Sequence, residues 1–128
     1  MKLAHLHILV REIDPAVDFV TEVLKGKLQN RDPLKGSPSA EILVDGLKVC
    51  LKEVGKDWEL PQPTAKVCGY NHIAFSVESL DAALAEVLAA PGVRLAVEPF
   101  IISDRKLRCA FIAGPGEIYV ELMESLKD

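Results

Sequence analysis

Few side chains in this chain can do chemistry. Its three histidines stand at positions 5, 7 and 72, and its three cysteines at 50, 68 and 109. An imidazole can carry a proton near neutrality or give a lone pair to a metal. A carboxylate or thiolate can share that metal. Sliding the sequence by 67 positions lays His5 on His72, Val10 on Val77, Asp14 on Asp81 and Ala16 on Ala83. Further on the offset becomes 70, pairing Ala40 with Ala110, Ile42 with Ile112 and Gly46 with Gly116. It ends at 71, pairing Val49 with Val120, Leu51 with Leu122 and Glu53 with Glu124, and in that register Cys50 meets Glu121. The chemistry therefore sits at equivalent places of an internal repeat.

A slow drift of the offset is what loop insertions produce, so the chain reads as two copies of one module. Residues 1–55 form the first copy, 69–126 the second, and 56–68 a linker. In the first, residues 5–10 alternate as a half-buried strand, with Leu6, Ile8 and Val10 on one face and His5, His7 and Leu9 on the other. Asp14-Pro15 reads as a helix start, with Asp as N-cap and Pro at the first helical position, and Gly26 as the C-terminal cap. Two strands, AEILV and LKVCLKEV, then flank Asp45-Gly46, a strong hairpin signal. The second copy repeats the order: a strand at 72–77, a helix at 81–90 stopped by Pro91-Gly92, a strand at 93–97, and a hairpin of 108–113 with 118–123. Each module is βαβββ, and the fold class is α+β.

Composition narrows the partners. A net charge of −4 and 5% aromatic residues argue against a nucleic-acid partner. No uncharged apolar run reaches the roughly 18 residues of a membrane span. The opening MKLAHLHILVREID places Arg11 and Glu12 inside what would be an apolar signal core, so it does not read as a signal peptide. Three widely spaced cysteines without a CxxC point to a reducing, cytoplasmic setting and to small buried hydrophobes.

The phrases HLHILVREIDPAVDFVTEVL, GYNHIAFSVESLDAALAEV and AFIAGPGEIYVELME resemble the vicinal oxygen chelate superfamily. This group includes glyoxalase I, the fosfomycin-resistance and bleomycin-resistance proteins, extradiol dioxygenases and methylmalonyl-CoA epimerase. The resemblance covers nearly the whole chain. It implies two curved mixed sheets around a cleft, helices outside, and one divalent transition metal (Zn, Ni, Mn or Fe) within. It also implies a homodimer and a small-molecule substrate.

Carried over by position, the metal ligands are His5, His72 and Glu121. Taken singly, each is more ordinarily a satisfied histidine or a surface carboxylate. Strand parity speaks for them together: His5 lies opposite Leu6 and Ile8, His72 opposite Ile73 and Phe75, and Glu121 opposite Val120 and Leu122. A buried carboxylate between imidazoles is costly without a cation or a shared proton. The fourth family position falls on Cys50, where glyoxalases keep Glu and the epimerases Gln. It is either a thiolate ligand or a neutral bystander. His7, two residues beyond the first ligand, is a candidate general acid or base, and Glu121 another. The expected function is a glyoxalase-like lyase or isomerase that moves a proton through an enediolate. Its rivals are a bleomycin-sequestering type of binding protein and an Fe(II) ring-cleaving dioxygenase.

Overall fold

Alternating apolar residues and a repeated hairpin build two four-stranded mixed sheets, described here over residues 1–61 and 66–127 of a computed structural model. Residues 62–65 of the expected linker, and residue 128, lie outside the described residues. The chain divides into two units, Met1–Leu60 and Pro61–Asp128.

In the first unit, β1 (Leu6–Val10), β2 (Lys27–Asn30), β3 (Ser39–Val44) and β4 (Leu47–Glu53) lie in the order β1-β4-β3-β2. β1 runs parallel to β4, while β3 pairs antiparallel with both of its neighbours. In the second, β5 (Ile73–Val77), β6 (Arg94–Ile102), β7 (Leu107–Gly114) and β8 (Ile118–Ser125) repeat the pattern as β5-β8-β7-β6. The parallel edge pairing recurs between β5 and β8. Asp45 and Gly46 take φ values of 46° and 83°, as a two-residue hairpin turn with both φ positive requires.

One face of each sheet carries the core. Val10, Ala40, Ile42, Val49 and Leu51 are buried in the first unit, together with Ile13, Ala16, Val17, Phe19 and Val20 from the helical segment. Leu80 and Leu84 of the second helix are buried, as are Ala110, Ile112, Val120 and Leu122 of its sheet. Alternation then leaves His7, Cys50 and Glu41 on the other face of the first sheet, and Glu121, Phe111 and Tyr119 on that of the second.

The helices start differently from the sequence expectation. Helix α1 spans Ile13–Asp18 with Glu12 at the N-cap, and Asp14 is not the capping group. Glu53 Oε2, arriving from the end of β4, accepts the Ile13 N–H at 2.9 Å. That carboxylate lets the helix begin before Asp14, whose side chain pairs instead with Arg31 at 2.9 Å. The second unit uses the same device: Glu124 Oε2 accepts the N–H of Leu80, first residue of α2 (Leu80–Leu88), at 2.8 Å. Ser79 adds a side-chain cap by accepting from Ala82 N–H at 3.2 Å.

After α1 the backbone loosens into a π-helical turn at Phe19–Val23, where the Thr21 hydroxyl donates back to Val17 O at 2.8 Å. The left-handed residue that ends this segment is Lys25, at φ 62°, rather than Gly26. Gly26 is needed for a different reason. A Cβ there would meet Ile42 Cγ2 at 2.6 Å and Val20 O at 2.9 Å, so the chain passes too close to β3 for a side chain.

Two strands exceed the expectation. β2 has four exposed residues with no apolar alternation to announce it. β6 runs through Pro99 to Ile102, with register shifts between Leu95 and Val97 and between Val97 and Phe100. An edge strand tolerates both, because its outer N–H groups have no ladder to serve. No helix among the described residues is long and apolar enough to cross a membrane.

Candidate functional site

His5 and His72 each sit one residue ahead of their strands, β1 and β5, where the chain enters the sheet beside the last strand of the module. In the second unit this brings His72 onto Glu121. Its Nε2 lies 2.9 Å from Glu121 Oε2, and the carboxylate, in the middle of β8, is only 8% exposed. The other ring nitrogen, Nδ1, is 2.7 Å from Asn71 Oδ1. Phe111 meets the imidazole edge-on with centroids 4.8 Å apart, and Phe100 stacks on Phe111 at 6.1 Å.

Cys109 completes this cluster. Its thiol is fully buried, and burial first, then a hydrogen bond to Glu121, pushes it up to about 11. It therefore stays a thiol and donates to the carboxylate. The sequence reading took Cys109 for a plain buried hydrophobe. The signal lay in the hairpin register: Phe111 faces Glu121 and Cys109 faces Met123, which puts 109 and 121 on one face one pair apart.

The first unit gathers a different set. His7, Cys50, Glu41 and Asn30 follow one another across β1, β4, β3 and β2 in register. With His5, Asp32 and Ser39 they line a cleft of about 310 Å³. The His5 and His7 rings stand 5.9 Å apart at 61°. Burial raises the Cys50 thiol above its ordinary range, and the Glu41 carboxylate raises it further, against a smaller lowering by Lys48. A thiol so placed is protonated at neutral pH and is a poor metal ligand.

Beside the His72–Glu121 pair, the second unit has a smaller cleft of about 200 Å³ lined by Asn71, Ala96, Val97, Phe111 and Tyr119. The Tyr119 hydroxyl donates to Glu117 Oε2 at 2.7 Å, and the same oxygen takes a short hydrogen bond from Arg94 Nη2. Glu117 occupies the left-handed region at φ 59° in the β7–β8 turn. Partial burial works to raise its carboxyl, but the hydrogen bonds from Tyr119 and Arg94 outweigh it and hold the group below the usual range. Sequence reasoning missed the Arg94–Glu117 pair and its link to Tyr119.

Of the residues singled out from sequence, the structure thus joins His72 to Glu121, and it sets His5 and His7 along the cleft of the first unit with Cys50. Within neither unit do three His, Cys, Asp or Glu side chains gather as a metal set among the described residues. The donor chemistry of the His72–Glu121 pair does fit a divalent transition metal. Imidazole nitrogen and carboxylate oxygen are the donors such metals take. With Nδ1–H donated to Asn71 Oδ1, Nε2 keeps its lone pair and faces the carboxylate. That contact calls for a cation: a second proton on the ring, or a metal shared by the two.

Comparison with known proteins agrees with this architecture. The family model described as Glyoxalase/Bleomycin resistance protein/Dioxygenase superfamily matches residues 2–122. A glyoxylase/bleomycin resistance protein/dioxygenase domain from Frankia sp. EAN1pec superposes with a TM-score of 0.76 at 24% identity, covering 98% of both chains. The genomically encoded fosfomycin resistance protein FosX from Listeria monocytogenes gives 0.71 at 20% identity, over 98% of this chain and 93% of that one. A mutant of FosX complexed with Mn(II) and 1S,2S-dihydroxypropylphosphonic acid gives 0.74 at 21%, over 97% and 90%. At these identities the likeness establishes the fold. No curated protein sequence matches the chain.

Proposed function

Because the chain belongs to the Glyoxalase/Bleomycin resistance protein/Dioxygenase superfamily, we propose that it is a metal-dependent enzyme of small-molecule chemistry. Its substrate would present neighbouring oxygens to a divalent transition metal held by His5, His72 and Glu121. The reaction is a lyase- or isomerase-type proton transfer, carried out by a homodimer. The observation that carries this reading is the 2.9 Å approach of His72 Nε2 to a buried Glu121 carboxylate. When bound, the metal supplies Lewis-acid polarisation of the substrate oxygens.

The chain's own residues do the rest. Asn71 fixes the His72 ring by accepting from Nδ1. Cys109 donates to Glu121, and burial among β-strand side chains keeps that carboxylate in one orientation. His7 stands beside His5 in the cleft of the first unit, where an imidazole can take or return a substrate proton. Cys50 stays neutral there and leaves the three-ligand set without a thiolate.

Metal content decides between this enzyme and a metal-free sequestering protein. Protein purified without chelator or nickel affinity should take up about one Mn, Ni, Zn or Fe(II) per chain, and His72→Ala and Glu121→Gln should each weaken it ~10-fold or more. Less than about a tenth of an equivalent, with no uptake on adding any of the four, would refute the proposal. FosX has been solved with Mn(II) and a dihydroxypropylphosphonic acid, which supports choosing manganese for the first titration.

A further inference from the structure

We propose that Glu117 is a specificity-determining residue: by occupying Arg94 beside the Tyr119 end of the second unit's cleft, it makes that cleft accept uncharged molecules with an apolar face and turn anions away. This deepens the function proposed above, since it names the charge class of the molecule held beside His72 and Glu121.

The cleft itself is apolar. Among the described residues, Asn71, Ala96, Val97, Phe111 and Tyr119 line it and none is charged. Phe111 offers a ring already packed against Phe100 and His72, so a flat or aliphatic body can lie along it without reordering the wall. Arg94 is the cation nearest by register. It faces Ala113 across the β6–β7 ladder, and Ala113 faces Tyr119 across β7–β8, so the three share one row on one face. A guanidinium in that row would be a natural seat for a phosphonate, sulfonate or carboxylate.

Glu117 takes that seat. Its Oε2 accepts from both Arg94 Nη2 and Tyr119 O–H, and it comes from the turn immediately before β8. The charge of Arg94 is thereby cancelled, and the Tyr119 proton is committed. An incoming anion meets a neutral ion pair, a spent hydroxyl and the Glu121 carboxylate farther along β8. An uncharged ligand pays none of that repulsion.

Two probes of one shape isolate charge: methyl phenyl sulfone, which is neutral, and benzenesulfonate, which is anionic at all working pH values. Binding to the full chain is followed by chemical-shift changes at Phe111 and Tyr119 with chelator present, so the result does not depend on any metal. The wild type should bind the sulfone and hold benzenesulfonate about tenfold more weakly. Glu117→Gln should tighten benzenesulfonate by about tenfold and leave the sulfone nearly unchanged. Glu117→Gly gives the same gain on a backbone that positive φ suits, which keeps the test open should the glutamine variant fold poorly. Adding Arg94→Met to either variant should abolish the gain. Equal benzenesulfonate affinity in wild type and both Glu117 variants would overturn the proposal, as would no sulfone-induced shift at Phe111 and Tyr119. Failure of the protein to bind any metal would instead sink the enzyme reading and leave this comparison standing.

Discussion

Glu124→Ala should unfold the second helix from its start. The perturbation removes the oxygen that accepts the Leu80 N–H at 2.8 Å, on a residue with no solvent exposure. Loss of a helix cap costs ~0.5–2 kcal/mol, and a buried donor left without an acceptor costs about 1–3 kcal/mol. The Arg108 contact at 3.8 Å adds little, because Arg108 keeps its closer partner Asp81 at 3.0 Å. The expected loss is thus about 2 kcal/mol, with a fall in melting temperature of about 6 °C for a chain of this length. Glu124→Gln keeps an acceptor and loses only the charge facing the helix dipole, so it should cost about 0.5–1 kcal/mol. Urea unfolding at neutral pH, followed by circular dichroism, reads both values. The exposed Glu59→Ala serves as a control within ~0.5 kcal/mol of wild type. Should Glu124→Ala match that control, or glutamine prove as damaging as alanine, the capping argument is wrong. Glu53→Ala in the first unit should behave alike, since it frees the Ile13 N–H.

Two cysteine predictions follow from the thiols. Cys50→Ser should leave metal affinity within about twofold of wild type, and a Co(II) titration should show no thiolate charge-transfer band at one equivalent, because burial and Glu41 keep that thiol protonated. Cys109 titrates at about 11 when folded, against 9.0 for a free thiol. Its neutral form is therefore favoured by folding, and its contribution to stability is whole below pH 9.0, declines as pH rises and is gone above about 11. Chemical denaturation of wild type and Cys109→Ala from pH 7 upward should show the difference between them shrinking across that window, and a constant difference would contradict it.

Much of the scaffold could be read from residue order alone. The repeat, the strand parity and the Asp45-Gly46 turn are local or self-referential signals, and the two βαβββ modules follow from them. What escaped notice depends on partners distant in sequence. Asp14 has the right type and place for an N-cap, but Glu53, forty residues from Ile13, accepts the Ile13 N–H and starts the helix ahead of Asp14. β2 and the outer half of β6 are edge strands whose residues need no apolar alternation. The pairing of His72 with Glu121 was accessible through the family resemblance, whereas the Cys109 hydrogen bond and the Arg94–Glu117 pair required the β7–β8 and β6–β7 registers.

The parallel edge pairing has a consequence for synthesis. β1 lies at the rim of its sheet and its neighbour is β4, with Leu6 opposite Val49, so the first strand made must wait for one made 43 residues later. At ribosomal speeds of about 5–20 residues per second the wait is roughly 2–9 s. Throughout it, Leu6, Ile8 and Val10 form an apolar strand on the nascent chain with no ladder to join. The second module repeats the delay, with Ile73 opposite Val120. Slower translation between these partners lengthens the interval in which a growing chain can pair with the wrong neighbour, and synonymous codon choice within each module thereby becomes a determinant of folding yield.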